Sequence, residues 1–251
     1  MEWNDDAVVL SARSLGETSL VVSALTCAHG RHNGLVRGGT GRRAHGMLQP
    51  GNRIACRWRG RTAEQLGSYS CEPIAILPPA ILDDAARLAA VVAACAILDT
   101  ALPEREPAVV PFAEMLALLQ AIEEDPAWPC AYVRWEVALL ADLGFGLDLA
   151  ACALTGARED LAYVSPRTGR AVAAAAAGPW QQRLLALPAF LCDAAAPATS
   201  DDVLAGLALA GYFLRRCVYA EHDRDLPSAR QRLSAVIGRS QLSCGDAAGA
   251  R

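Results

Sequence analysis

The sequence predicts a mixed β + α protein, an N-terminal OB-fold β-barrel followed by a C-terminal α-helical bundle domain. Three observations carry this. Up to residue 77, short period-two segments alternate with turn signals, the pattern of a small barrel. At Pro78-Pro79 the apolar spacing becomes helical. The charge shifts at the same place: residues 1–80 carry nine Arg against six acids, and residues 81–130 carry two Arg against nine. A chain of 251 residues suits one large or two modest domains. The expected division is an OB-fold domain at 1–79, a helical domain at 80–239 with an insert at about 148–180, and a tail without regular structure at 240–251.

Strands are expected at 7–13, 18–26, 31–37, 52–59 and 67–77. The fourth has the clearest pattern. In GNRIACRWRGR, Ile54, Cys56 and Trp58 alternate with Arg53, Ala55, Arg57 and Arg59, which gives one apolar face and one arginine face. Same-face residues stand ~6.6 Å apart along a strand, so Arg57, Arg59 and Arg61 form a row if the strand persists through Gly60. The stretch Gly38-Gly39-Thr40-Gly41 interrupts regular structure and should present Arg42, Arg43 and His45 on a loop. A helix is expected at 81–101 with Asp83 and Asp84 in its first turn, where carboxylates complement the helix dipole. A second buries Met115, Leu118, Leu119 and Ile122, and a third runs from about 130 to 143 and stops at Gly144. After an irregular insert, helices are expected at 180–191 and 201–220, the latter capped by Thr199 or Ser200.

Within a chain of net charge −4, Arg31, Arg37, Arg42, Arg43, Arg53, Arg57, Arg59 and Arg61 lie between Glu17 and Glu64 with no acid among them. The local field is positive and a polyanion is the natural partner. Guanidinium forks suit phosphate oxygens and stay charged at any working pH. Trp58 and Tyr69 share the inward parity of Ile54 and Cys71, so binding should rest on phosphate charge and be indifferent to base sequence. The absence of lysine excludes Walker A hydrolases, kinases and pyridoxal enzymes, each of which needs that amine.

Nine cysteines without one C-x-x-C pair argue against a disulfide framework or a zinc ribbon and read as small core residues. The C-x-H-x-x-H of Cys27, His29 and His32 is a weak metal pattern. Cys27 and His29 share a strand face without aiming at one substrate atom, and GSYSC is no nucleophile elbow. MEWNDD lacks a signal-peptide charge pattern and the longest apolar runs are too short to span a bilayer, so a soluble cytoplasmic protein is expected.

The segments RSLGETSLVVSALTCAHGRHNGLVRGG (13–39), LQPGN (48–52), WEVALLADLGFGLDLAACALTGAREDLAYVSPRTGRAV (135–172) and RDLPSARQRL (224–233) together resemble the RecO family of bacterial recombination mediators. The resemblance implies an OB-fold that binds single- and double-stranded DNA and anneals complementary strands, and a helical domain behind it. It implies a chain that is no enzyme, is nucleoid-associated, and acts with RecR to load RecA onto strands coated by single-stranded DNA-binding protein (SSB). The eight arginines named above become the DNA-binding set. The helical domain is expected to receive the acidic, apolar-ended SSB tail, with Arg134, Arg183, Arg215 and Arg216 as candidates and Arg215-Arg216 the first choice. Many members hold a four-cysteine zinc site in the insert. Here Cys152 stands at the first ligand position, Thr155 at the second, and YVSPRTGRAVAAAAAG supplies no cysteine. No cofactor and no metal are therefore expected, and packing of Leu161, Tyr163, Val164 and Trp180 should hold the insert instead. An OB-fold RNA-binding protein shares the charge argument, and a cysteine-dependent hydrolase would need one thiol of low pKa.

Overall fold

The computed structural model describes residues 1–62, 65–220 and 223–248, with side chains through Arg239. Five strands close a barrel in the order β1-β2-β3-β5-β4: β1 (Glu2–Leu15), β2 (Ser19–Thr26), β3 (Gly30–Val36), β4 (Arg53–Arg59) and β5 (Ser68–Ala75). All five expected strands form, and β1 begins five residues earlier than the expected residue 7. Its N-terminal half pairs with β4, from Glu2 opposite Arg59 to Val8 opposite Arg53, and its C-terminal half pairs with β2. A register shift between Val9 and Ser11 lets one long strand serve two neighbours. The barrel closes through a single parallel pair, Leu35 opposite Ser68. Beyond Ser68, β5 has no second strand neighbour among the described residues.

The barrel core is Val9, Leu20, Val22, Ile54, Cys56, Trp58 and Tyr69, each buried by strand alternation. Trp58 is 1 % exposed and donates its indole N–H to the Leu66 carbonyl at 3.1 Å. Gly67 roofs that ring at φ 59°, and a Cβ there would meet the indole at 2.4 Å, so only glycine closes the loop from β4 to β5. Residues 42–47 are not a loop. They form α1 (Arg42–Met47), because Leu48 is fully buried in the barrel and draws the preceding turn into helix, with His45 N–H on the Gly41 carbonyl at 2.8 Å.

The expected helix at 81–101 is two pieces, α2 (Pro79–Leu82) and α3 (Ala85–Ala101). Asp84 stands before the second as its N-cap, its carboxylate accepting from the Ala86 and Arg87 N–H groups at 2.8 and 3.1 Å, an acceptor role that breaks the helix there. The next helix, α4 (Val109–Glu124), buries Met115, Leu118, Leu119 and Ile122 as their spacing requires. Met1–Glu123 with Pro227–Leu233 form one compact unit, and Glu124–Leu226 with the chain from Ser234 form another.

In the second unit α5 (Trp128–Asp142) ends at Gly144, which adopts φ 87°. A small sheet of order β7-β6-β8 follows: β6 (Leu161–Val164), β7 (Ala171–Ala173) and β8 (Leu185–Ala186), with α6 (Ala174–Ala177) after β7. The helix expected at 180–191 does not form. Two 3-10 turns, Gly178–Arg183 and Ala189–Leu191, flank β8, since Pro188 cannot donate to a helix and Leu184 is extended. The apolar helix is α7 (Ser200–Phe213), with a capping box between Thr199 and Asp202, and it continues as a π-helical turn over Leu214–Tyr219. The last helix, α8 (Ser228–Ala248), carries the backbone into the segment read as a tail, and residues 249–251 lie outside the described residues. Among the described residues no helix is long and apolar enough to cross a membrane.

Candidate nucleic-acid interface

Alternation on β4 turns Ile54, Cys56 and Trp58 inward and leaves the Arg57 and Arg59 side chains 60 % and 75 % exposed. These two guanidiniums share one counter-ion. Glu2, placed opposite Arg59 by the extra length of β1, accepts from Arg57 Nε with one carboxylate oxygen and lies 3.4 Å from Arg59 Nε with the other. The hydrogen bond from Arg57, with the nearby charges of Arg57 and Arg59, holds the Glu2 carboxyl below the usual carboxylate range. Asp6, two pairs along the same strand face, stands 3.9 Å from Arg53. The strand ends at Arg59, so Arg61 leaves the row and sits in the bend after Gly60.

Arg31 is a structural residue. Its side chain is 16 % exposed, its Nε donates to the Leu102 carbonyl at 2.8 Å, and Nη1 lies 3.2 Å from Glu104 and 3.9 Å from Asp99. Arg37, Arg42, Arg43 and Arg61 remain, all exposed and all without an acidic partner among the described residues. Arg37 follows β3, the turn at Gly38–Gly41 reverses the chain, and α1 then presents Arg42 and Arg43. A groove between α1 and β5 is lined by Arg42, Arg43, Met47, Glu72, Pro73 and Ile76.

The rings of the barrel are occupied internally. Trp3 stacks on His29 at 4.0 Å between centroids and 8° between planes, and Tyr69 donates its hydroxyl to the His32 carbonyl at 3.2 Å. His29 faces Asp5 at 3.3 Å, and His32, pushed down by burial, lies 2.9 Å from the Asn33 carbonyl through its Nδ1. Neither histidine joins Cys27 in a metal site, and no group of three or more metal-ligating side chains occurs among the described residues.

In the second unit, Arg134 donates to the Phe190 and Ala194 carbonyls at 3.1 and 3.2 Å and lies over the Phe190 ring. Arg215 pairs with Asp225 at 2.7 Å, and Arg216 donates to the Pro166 carbonyl. Arg183 lies over the Trp180 ring, 5.6 Å from its centroid. The arginine pair closing the apolar helix is thus held by the fold.

Comparison with known proteins decides the family. The family model described as Recombination protein O N terminal matches residues 1–76, and Recombination protein O C terminal matches residues 82–225. The chain belongs to the RecO family. It is 50 % identical over 245 residues to the DNA repair protein RecO of Rhodospirillum rubrum, covering 95 % of this chain and 97 % of that one. Against the protein of the same name from Phenylobacterium zucineum the identity is 49 % over 230 residues, 92 % and 95 % of the two chains. Against that of Cereibacter sphaeroides it is 46 % over 241 residues, 96 % and 100 %.

The insert of this RecO-family chain carries its own packing. Its core is Cys152, Val172, Ala173 and Ala177, with Leu161 and Tyr163 packed against it and Val164 fully buried. Trp180 is not part of that packing: it is 58 % exposed, because the proline-led 3-10 turn replaces the expected helix and turns the ring outward. Cys152 Sγ accepts from the Ala173 N–H at 3.3 Å and from the Thr155 hydroxyl, and these bonds push its thiol down to about 7. That is a thiolate-favouring turn with a hydroxyl where a second sulfur would be needed. With one sulfur in place of four, the residues present do not fit a zinc ion. The described histidines are His29, His32 and His45, all in the first unit, and His222 lies outside the described residues.

Proposed function

We propose that this RecO-family chain is a non-catalytic recombination mediator in DNA repair. It binds single- and double-stranded DNA chiefly through phosphates and anneals complementary strands. With RecR it helps load RecA onto SSB-coated single strands, in the cytoplasm at the nucleoid and without a bound metal. The observation that carries the reading is that four of the eight arginines from 31 to 61, Arg37, Arg42, Arg43 and Arg61, are exposed and have no acidic partner among the described residues, on a barrel whose aromatic rings face inward. Such a surface screens phosphates and leaves bases free to pair, which is the physical requirement for annealing. Arg57 and Arg59 add to it when Glu2 yields, and Arg53 when Asp6 does. Arg31 contributes to the field without reaching the strand. The SSB tail is assigned to the helical unit, among Arg134, Arg183, Arg215 and Arg216.

The test is a salt titration of binding to a labelled single strand. Replacing Arg42 and Arg43 together by Ala is expected to flatten the slope of log affinity on log salt by ~1.4, at ~0.7 per phosphate contact. An unchanged slope places the binding surface elsewhere. Equal-length DNA and RNA competitors separate this reading from an RNA-binding barrel, which would prefer the strand carrying 2′-hydroxyls.

A further inference from the structure

Trp180 alone of the five tryptophans is exposed. Trp58, Trp128 and Trp135 are buried, Trp3 is half-buried, and 58 % of Trp180 reaches solvent. The ring does not ride on a loose segment. Gly178 turns the chain at φ 46°, Pro179 opens the 3-10 turn, and the Leu184 N–H closes on the Gln181 carbonyl at 3.1 Å. The Gln181 side chain then ties the turn to β6 through the Tyr163 hydroxyl at 2.6 Å. Over this fixed indole stands the Arg183 guanidinium, which has no acidic partner among the described residues. An indole left this exposed takes no part in the small core of the insert. An indole with an unpaired guanidinium beside it recognises a nucleobase next to its own phosphate. The ring stacks on any base, and the cation meets the backbone.

We propose that Trp180 and Arg183 form a stacking site for an unpaired base of single-stranded DNA on the insert of the helical unit. This rests on the DNA-binding reading above and adds to it the base contact that the barrel, with its rings turned inward, does not offer. It also withdraws Arg183 from the arginines that serve a peptide tail. Bases inside a duplex have both faces covered, so the site favours single strands over double ones.

The experiment uses the full chain with a labelled single strand and a labelled duplex, and compares native protein with Trp180→Ala, Trp180→Phe and Arg183→Ala. Trp180→Ala is expected to weaken single-strand binding between about 5-fold and about 100-fold. Its duplex affinity, salt slope and thermal unfolding stay native. Trp180→Phe restores most of the loss, and Arg183→Ala flattens the salt slope by ~0.7. The strand also shields native indole fluorescence from acrylamide, and less so in Trp180→Ala. Native single-strand affinity in Trp180→Ala, or an equal loss on duplex, overturns the proposal. So does shielding of Trp180 by an acidic peptide with an apolar end but not by the strand. A native chain that binds no single strand overturns both readings. Binding lost in the Arg42/Arg43 variant and kept in Trp180→Ala overturns this one alone.

Discussion

Glu2→Gln should make DNA binding tighter and more sensitive to salt. Arg57 and Arg59 are the two most outward arginines of β4, and one carboxylate occupies the Nε of both. With Glu2 in place, four of the eight arginines from 31 to 61 lack an acidic partner among the described residues, so about four phosphate contacts there contribute ~2.8 to the slope on a single strand. Raising salt fourfold, from ~50 to ~200 mM, weakens binding about 50-fold through that contribution. Neutralising Glu2 frees two more guanidiniums and raises the contribution to ~4.2, which turns the same change of salt into a loss of about 300-fold. Glu2 heads an edge pairing and is exposed, so the variant keeps its fold. Anisotropy of a labelled single strand across the salt series reads both slopes. A slope equal to native, or a shallower one, refutes the idea that Glu2 competes with phosphate for these two side chains.

Arg31→Ala is expected to lower stability by ~1–3 kcal/mol, through the loss of a half-buried guanidinium that bonds the Leu102 carbonyl and Glu104, and to leave the salt slope as it was. Chemical denaturation and the same anisotropy series separate the two effects. Cys152 gives a pH signature. The bonds it accepts push its folded thiol down to about 7, below the ordinary thiol range, so the stability it contributes is fully present above the unfolded value and is lost as pH falls through 7. The native chain should therefore gain melting temperature relative to Cys152→Ala as pH rises from about 7 to about 9. Parallel curves would show that the thiolate carries no stability.

Much of the barrel was legible because strand alternation is a local signal. In GNRIACRWRGR each inward residue differs from each outward one, and burial follows that parity from Ile54 to Trp58 without exception. The same signal is present in EWNDD, where Trp3 is the inward residue between Glu2 and Asn4, but three acids in the first six residues mask it, and the expected strand starts at residue 7. What failed in the helical half were propensity arguments. Ala-rich, Leu-rich stretches read as helix wherever nothing interrupts them, yet Asp84 takes a cap, and Pro179 and Pro188 each open a 3-10 turn, where the window around them favours helix. The burial of Leu48, which turns a glycine-rich loop into α1, depends on the barrel having closed and has no local signature.

Counting arginines along the chain overstates how many of them are unpaired, for a related reason. Charge along a chain is read between sequence neighbours, whereas neutralisation happens between spatial ones, and the absence of acids from 18 to 63 said nothing about Glu2 across the β1–β4 pair or Glu104 beside Arg31. Strand pairing brings residues 57 positions apart into opposition at Glu2 and Arg59. A basic run on a strand therefore needs its cross-strand neighbours identified before its charges are assigned to a ligand. Arg37, Arg42, Arg43 and Arg61 pass that requirement because they leave the ladder, in a turn, on a short helix and past a strand end, where no neighbouring strand can supply a carboxylate. Among the eight arginines from Arg31 to Arg61, the ones free to meet a phosphate are those outside the sheet.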